Sequence, residues 1–526
     1  MLYSHLPTPW TAAFYATFLI TASISAMERH TTGFRRGETP LSPCDSQKAM
    51  KPPAASAIEP SKHDIDHQTI PNLEPEASLT WDDPRETRNP IHWSTSRRVF
   101  HTVIPCCAAF EATFATSIMV PATPMLMQEF GIPRTQALLS LTLYTMGIAI
   151  GPLLIAPLSE VFGRKYVYVA SLTMLLAFTG GAGAAQSFGT LLACRLLAGI
   201  LGSSTVAIGA GTIADVWALG KSGGTASLFF ILGPFLGPTL GPLAGAYILH
   251  DRNDDWRWTM WLLMIVGAPI WIGSIIMSET SHTILTQRYG YVQELASGKG
   301  LFAAAAEKVL IGIKRPTKML CTEPIVISLS LYTAFAYATV FSYFGSASYV
   351  LQRYYHFNTR EVGLSFISVI IGYLLAALMF GTFDKTLFAK AVAAGNGTAA
   401  PEHRLYAGMV GSIFLPISLF WYAWEVKMNG NWAALVAAGI PFGLGSFSIF
   451  LSSITYMVDV YKARAAASAI AANGVLRYLL GAVFPLFTIQ MYQSLGPHWA
   501  SSIFAFVAVL LMPIPWLLFK FGHKLR

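Results

Sequence analysis

Apolar residues along this chain are grouped into twelve long runs, which are separated by short polar segments. Six runs precede a hydrophilic stretch from Ser278 to Lys318, and six follow it. Each run spans about 20 residues or more, the length that a helix needs to cross the hydrocarbon core of a bilayer. The pattern therefore predicts an all-α membrane protein with twelve transmembrane helices. The runs occupy roughly 99–121, 136–156, 166–185, 190–213, 225–249, 257–277, 324–349, 362–383, 405–425, 432–457, 464–488 and 499–521.

Composition agrees with this pattern and argues against a water-soluble protein. Of the 526 residues, 54% are hydrophobic and only 12% are charged, whereas soluble domains carry roughly 25% charged residues. We attribute the formal net charge of +8 to loops that face an anionic lipid leaflet rather than to nucleic-acid binding. With residue 98 placed inside, the inner segments hold roughly three times as many Lys and Arg residues as the outer ones. Both ends of the twelve-span body are therefore predicted to be cytoplasmic.

The same pattern divides the chain into four parts. Residues 1–97 are mostly polar, which predicts a disordered cytoplasmic tail. An apolar stretch at 9–26 interrupts this tail and is interpreted as an extra span, a re-entrant anchor or, as we favour, a misassigned start of the gene. Residues 98–278 and 323–526 are predicted to form two six-helix bundles, and residues 279–322 a central cytoplasmic loop between them.

The strongest local motif is a Gly-Pro repeat in run five. Its glycines recur every four residues, and three of them are followed by proline: Gly233, Pro234, Gly237, Pro238, Gly241, Pro242 and Gly245. On a helix, glycines at this spacing form a ridge without side chains, which lets a neighbouring backbone approach closely in lipid. Each proline removes a backbone hydrogen bond and bends the helix. Ordinary small-residue packing is the alternative explanation.

A second motif lies in the short predicted inner loop between runs two and three. This loop carries Glu160, Gly163, Arg164 and Lys165. Glycine permits a tight turn, and the cations suit the cytoplasmic leaflet and the ends of nearby helices. If Glu160 pairs with a cation only when the two bundles are suitably docked, the loop is a conformational latch. Simple anchoring of the cytoplasmic side is the alternative.

Ionisable and polar residues inside the runs are candidates for function, because they are costly in lipid. Glu111 lies near the middle of run one and is predicted to carry protons, with a static ion pair as the alternative. In run eleven, Arg477 lies close to Asn473 and is expected to pair with an acid or with backbone carbonyls. Tyr337, in the middle of run seven, is predicted to contact substrate, since tyrosine suits a cavity for planar or amphipathic ligands. We assign Tyr337, Asn473 and Arg477 to a substrate cavity.

Motifs for catalysis, metal binding and nucleotide binding are missing from the sequence. It contains no G-x-x-x-x-G-K-[ST] loop for ATP, no His-Glu-x-x-His pair and no Gly-x-Ser-x-Gly elbow. We therefore predict no catalytic residues, no metal site and no cofactor. Asp384 and Asp459 fall at inner ends of runs and are expected to be solvated loop acids.

Three segments of the sequence resemble motifs of the major facilitator superfamily. Residues 156–165 are similar to its loop of form G-x-L-x-D-R-x-G-R-K, with Ala156, Glu160 and Val161 as departures. The Gly-Pro repeat resembles the signature of the antiporters in that superfamily. More loosely, Arg195 with its following glycines resembles a motif linked to proton transfer.

Further segments resemble the fungal twelve-span drug:proton antiporter branch of this superfamily. They are Asn89–Trp93, Ala156–Glu160, Trp256–Trp258, Glu323–Val326 and Gly481–Phe487. The resemblance implies two pseudo-symmetric bundles that rock around a central cavity lined by spans 1, 4, 7 and 10. It also implies a monomer in the plasma membrane.

Roles for particular residues follow from the same resemblance. Glu160 and Arg164 would latch the inner gate with Asp215 at the end of span four. Arg195 would act in the cavity in proton coupling rather than extend to the bilayer surface. The glycine ridge of span five would pack on span eight, where small partners are available at Gly372, Ala376 and Ala377.

We therefore predict a proton-coupled exporter of small amphipathic organic molecules such as drugs, toxins or secondary metabolites. Its expected partners are the substrate, protons and the lipid bilayer. A polyamine or other organic-cation exporter on the same fold is one alternative, although spans 4, 7 and 10 offer no acid near mid-membrane. A membrane sensor that does not transport is another.

Overall fold

The structure is a computed structural model that describes residues 81, 83, 85–217, 221–290, 301–395, 399–427 and 430–526. All regular secondary structure in these ranges is helical, which confirms the all-α prediction. The apolar stretch predicted at 9–26 lies outside the described residues.

Eleven helical segments of the described chain are long and apolar enough to cross a membrane. The last has 61 residues and would be about 90 Å long at 1.5 Å per residue, roughly three times the thickness of the hydrocarbon core. Gly496 interrupts it with φ 76° and ψ 161°, so it supplies two crossings and the described residues form twelve. Numbered in chain order, spans 1 to 10 and the joined spans 11 and 12 are Thr95–Ser117, Arg134–Phe162, Arg164–Gly183, Phe188–Val216, Ala226–Asp251, Arg257–Ile276, Pro324–Tyr355, Thr359–Ala394, Pro401–Glu425, Trp432–Lys462 and Ala465–Leu525.

Further helices lie outside the spans. They are Pro90–His92 before span 1, Thr123–Phe130 after it, His282–Arg288 after span 6, and Leu301–Thr322 before span 7. The last of these, which we call the connecting helix, occupies the second half of the segment 279–322 that was predicted as a central loop. Charged residues gather at the end of the molecule where span 1 begins and the connecting helix lies, and we call this the basic end. The other end is called the opposite end.

The segment before span 1 is folded onto the basic end. Asn89 caps the helix Pro90–His92 by accepting a hydrogen bond from the amide of Ile91, and its own amide donates to the carbonyl of Trp81. Trp93 is buried between the guanidinium of Arg97 and the ring of His101. Residues 85–97, which belong to the predicted disordered tail, therefore pack on the basic end, where the buried Trp81 and Trp93 supply apolar surface.

The connecting helix is docked on the first half of the molecule. A Cβ on Gly312 would lie 2.6 Å from Pro157 Cγ, which shows how closely the helix approaches the end of span 2. Lys308 forms an ion pair of 2.9 Å with Glu160 next to this contact. The helix then reaches span 7 through the single residue Glu323, whose carboxylate accepts a hydrogen bond from Tyr461 of span 10.

The glycine ridge of span 5 packs on span 1, not on span 8 as predicted. A Cβ on Gly237 would lie 2.7 Å from the amide nitrogen of Phe114, and one on Gly241 would lie 3.0 Å from that of Ile118. Gly372 of span 8 is covered instead by Leu444 and its neighbours on span 10. The prediction failed because a side-chain-free ridge packs against whichever backbone comes closest, and here that helix belongs to the same half.

Span 5 nevertheless reaches span 8 through its other face. The hydroxyl of Thr239 donates to Tyr373 Oη at 3.3 Å, and Gly363 lies against Leu243 and Ala246. At the opposite end, spans 2 and 11 also join the halves. Thr142 donates to the carbonyl of Ala482 at 2.9 Å, and the amide of Gln490 donates to Thr135 at 2.7 Å. The two halves are therefore in direct contact at mid-height and at the opposite end.

Substitution of Gly237 by Ala should destabilise the protein, because the added methyl meets backbone atoms that cannot rotate away. Overpacking of this kind costs about 1–3 kcal/mol, so the melting temperature should fall. Gly381→Ala is the matched control, since nothing lies within 4 Å of its Cβ position. It should be neutral or gain up to about 1 kcal/mol from helix propensity. Equal melting temperatures for the two variants would contradict the packing of span 5 on span 1.

A polar contact outside the spans should make stability depend on pH. Glu129, in the helix Thr123–Phe130, accepts hydrogen bonds from Arg257 at 2.7 Å and from Trp256 at 2.6 Å. These bonds, that from Arg257 foremost, lower the pKa of Glu129 below its ordinary value of 4.5. A lowered folded-state pKa contributes stability above the unfolded value, and this is lost as pH falls through the folded value.

We therefore expect Glu129→Gln to lower the melting temperature slightly at pH 7. The difference from the unsubstituted protein should shrink as pH falls below about 4.5. The effect will be small, about 0–1 kcal/mol, because the pair is partly exposed. A difference that grows on acidification would show that the carboxylate does not stabilise the fold.

Candidate functional site

Glu111 lies inside the first half, away from the seam between the halves. Its side chain is 1% exposed, and a Cβ on Gly267 of span 6 would collide with its carboxylate and with Leu176 of span 3. Oε2 has no hydrogen-bond partner among the described residues. An acid without a cation is costly to ionise in such surroundings, so the arrangement suits a group that holds a proton.

Arg195 is fully buried and does not extend to the bilayer surface. Its Nε donates to the carbonyl of Ser140 at 3.2 Å, and Nη2 donates to the carbonyl of Ala115 at 2.6 Å. The guanidinium also lies 4.0 Å from the centroid of the Tyr144 ring. Arg195 therefore ties span 4 to spans 1 and 2, while its Nη1 remains without a partner among the described residues.

Tyr144 contacts both Arg195 and the turn of span 1 that carries Glu111, and it was missed by the sequence analysis. Its hydroxyl donates to the carbonyl of Ala112 at 2.8 Å, one residue from Glu111. Its ring lies against the guanidinium of Arg195. A tyrosine in the middle of an otherwise aliphatic run was the available signal. Glu111, Tyr144 and Arg195 thus form one buried polar group inside the first half.

At the basic end, the loop before span 3 is held by acids from its own half. Gly163 has φ 93°, a conformation that favours glycine, and it turns the chain so that the first amides of span 3 point at Glu279. That carboxylate accepts from the amides of Arg164 at 2.9 Å and Lys165 at 3.2 Å. A carboxylate at a helix N-terminus is stabilised by the helix dipole. Glu279 was not predicted.

Ion pairs complete this cluster. Arg164 pairs with Asp215 at the end of span 4, as the resemblance implied. Glu160 does not join them, because it lies on the side of the loop that faces the connecting helix and pairs with Lys308. The loop is therefore linked to the segment that leads into the second half.

The second half carries an equivalent cluster. Arg404 at the start of span 9 pairs with Asp459 of span 10 at 2.8 Å and with Asp384 of span 8. These two acids are partly exposed, as the predicted solvated residues would be, but they lie in helices rather than in loops and both converge on one guanidinium. Arg404 and Asp459 correspond in position to Arg164 and Asp215 of the first half.

An aromatic cluster fills the seam at mid-height. Phe235 of span 5 enters it from the first half, and its ring centroid lies 4.4 Å from that of Phe450, 5.0 Å from Phe447 and 5.8 Å from Tyr337. Tyr373 of span 8 completes the contact at 5.6 Å. Phe235 was also missed, although it is the one aromatic residue between Gly233 and Gly245.

Arg477 is surrounded by rings of this cluster rather than by the acid or carbonyl that the sequence analysis expected. Its guanidinium lies 4.4 Å from the centroid of Phe450, 4.6 Å from Tyr478 and 5.3 Å from Tyr337. One turn away, the amide of Asn473 donates to Thr333 at 2.6 Å. Tyr337, Asn473 and Arg477 are therefore together, at a place where both halves contribute side chains. Such a site suits planar molecules with a polar group.

Comparisons with known proteins agree with this architecture. The family model of the Major Facilitator Superfamily matches residues 106–485. The chain is 35% identical over 482 residues to Polyamine transporter 4 of Saccharomyces cerevisiae, covering 85% of this chain and 72% of the relative. It is 36% identical over 454 residues to the MFS-type efflux pump MFS2 of Trichophyton rubrum, covering 84% and 75%. The proton:xylose symporter XylE has a similar fold, with TM-score 0.60, 14% identity and coverage of 82% and 96%.

Gly163→Ala should destabilise the basic-end cluster. The substitution strains the backbone and places a methyl group against Glu279, which would displace that carboxylate from the start of span 3. Strain at such a position costs about 1–3 kcal/mol, so the melting temperature should fall. Gly131→Ala is the control, because it has φ +63° with nothing within 4 Å of its Cβ. A loss at Gly163 no larger than that at Gly131 would contradict the role of Glu279.

Proposed function

The chain belongs to the major facilitator superfamily, and from this premise we propose that it exports small amphipathic organic molecules by alternating access. The observation that carries the proposal is the aromatic cluster at the seam, to which both halves contribute. A site between two bundles can face either side of the membrane as they rock. The efflux pump of Trichophyton rubrum, of which the chain covers 75%, supports export as the direction.

Contacts between the halves support a rocking motion. At the opposite end they meet through a few hydrogen bonds, among them those from Thr142 and Gln490. Small numbers of neutral hydrogen bonds contribute only about 0.5–1.5 kcal/mol each, so they can be exchanged during a cycle. Ion pairs such as Arg164–Asp215 instead lie within one half, and they would move with it.

Proton coupling is proposed for the polar group of Glu111, Tyr144 and Arg195. The support is the burial of Glu111 without a cation. Protonation would lower the free-energy cost of burying this carboxyl in a low-dielectric interior. Glu111 lies on span 1 behind the seam. Its protonation would therefore act on the packing of spans 1, 3 and 6 rather than through contact with the substrate.

We further propose that the basic end faces the cytoplasm, that the protein is a monomer and that it works in the plasma membrane. The excess of cations at the inner loops supports the orientation. An organic-cation exporter is the second candidate function, because Polyamine transporter 4 is a relative. The sequence between 324 and 355 and between 430 and 458 contains no Asp or Glu, and this favours the first proposal.

Glu111→Gln should abolish gradient-driven efflux while leaving substrate binding largely intact, because glutamine keeps the shape but cannot exchange a proton. The measurement is efflux of a compound panel from a host that lacks its own efflux pumps, with and without a protonophore. Glu111→Asp, which keeps an ionisable group, should retain part of the activity. Active efflux by Glu111→Gln at the rate of the unsubstituted protein would remove Glu111 from the mechanism. Efflux at a rate that the protonophore does not change would indicate a facilitator instead.

A further inference from the structure

Three buried polar atoms in the aromatic cluster have no hydrogen-bond partner among the described residues. They are Tyr337 Oη, Asn473 Oδ1 and Arg477 Nε. Their side chains are all more than nine-tenths buried, with Arg477 the most exposed at 7%. Buried polar groups in folded proteins are nearly always hydrogen-bonded. Three unpartnered atoms at one place therefore point to a ligand that completes them.

The charge at this place is positive and is not neutralised. The rings of Phe450, Tyr478 and Tyr337 attract the guanidinium of Arg477, but a ring face carries no net charge. No Asp or Glu occurs in spans 7 or 11, from 324 to 355 and from 465 to 495, or in span 10 before residue 459. A bound cation would be repelled here, whereas an anionic oxygen would be attracted.

Arg195 provides the internal comparison. It also lies under a tyrosine ring, but two backbone carbonyls accept its hydrogen bonds. Those bonds tie three spans of one half together and leave only Nη1 of Arg195 without a partner. No carbonyl or carboxylate of the described residues accepts a hydrogen bond from Arg477, whose buried Nε is without a partner, so more of its hydrogen-bonding capacity is available to a ligand.

The position of Phe235 indicates that the ligand also carries an aromatic ring. Its ring lies among Tyr337, Tyr373 and Phe450, although span 5 is fastened to the first half. If the halves separate as proposed above, Phe235 would be withdrawn with span 5 and would leave a gap of ring size between aromatic faces. A flat aromatic group of a ligand fits that gap by offset or edge-to-face contact.

We propose that the cluster is a binding site for planar aromatic molecules that carry an anionic oxygen, such as a carboxylate or an ionised phenol or enol. The oxygen accepts from Arg477 Nε and from the Tyr337 hydroxyl, and the ring takes the place of Phe235. Asn473 Oδ1 accepts from a hydroxyl of the ligand where one is present. The inference rests on the proposed transport function for its physiological meaning, and it selects anions over polyamines.

The test is a binding measurement on the full chain in lipid nanodiscs without any gradient. Probes are two- and three-ring aromatic carboxylates, each compared with its primary amide and its methylamine analogue. We expect each carboxylate that binds to do so at least tenfold more tightly than its two analogues. Failure of every carboxylate to bind, or equal or tighter binding of the amides or amines, would overturn the proposal.

Substitutions locate the site. Arg477→Gln should reduce carboxylate affinity at least tenfold and leave amide affinity unchanged, and Arg477→Lys should restore part of the loss. Tyr337→Phe removes a single oxygen and should weaken carboxylate binding about threefold or more. Tyr332→Phe is the control, since this tyrosine of the same span also has a buried hydroxyl without a partner among the described residues but is not one of the rings around Arg477. Equal losses for carboxylate and amide, or for both tyrosine variants, would contradict the assignment.

Transport assays separate this inference from the proposed function. Selective carboxylate binding without gradient-driven efflux would leave the site in place and remove the exporter proposal. Conversely, gradient-driven efflux of carboxylates that Arg477→Gln does not affect would keep the exporter and remove the role of Arg477.

Discussion

Close backbone packing of span 5 on span 1 is the constraint on which the rest of the arrangement depends. In lipid there is no hydrophobic force between helices, so association relies on close contact. The ridge that includes Gly237 and Gly241 provides it. With one face of span 5 fixed on its own half, the other face must form the seam. That geometry brings Phe235 and Thr239 to the second half.

Buried charge is handled differently in the two halves. In the first, Arg195 donates to two backbone carbonyls, and Glu111 is enclosed without a cation. In the second, aromatic faces surround Arg477. Among the described residues, the ion pairs lie at the ends of the spans or in the segments outside them, and at the basic end Arg164 and Arg404 hold equivalent positions. Interior charges thus remain available for chemistry, while charges at the basic end hold each half together.

Hydrophobic periodicity was sufficient to predict the twelve spans, because lipid imposes their length and composition. Pairings were harder to predict. Local spacing identifies a ridge at Gly237 but cannot say which helix covers it, and Glu279 is distant in sequence from the loop that it caps. The sequence identified Arg477 because a buried arginine is costly in lipid. It could not identify the rings around Arg477, because they come from three different spans. Phe235 escaped notice because aromatic residues are common in membrane helices.

The joint between the connecting helix and span 7 has a mechanical consequence. These two helices meet at the single residue Glu323, whose carboxylate accepts a hydrogen bond from Tyr461 of span 10. The connecting helix packs on Pro157 of span 2 through Gly312. Because Glu323 is the one residue between these two helices, a tilt of span 7 would displace the connecting helix where it contacts the end of span 2. Movement of the second half would then be transmitted to the first through the connecting helix.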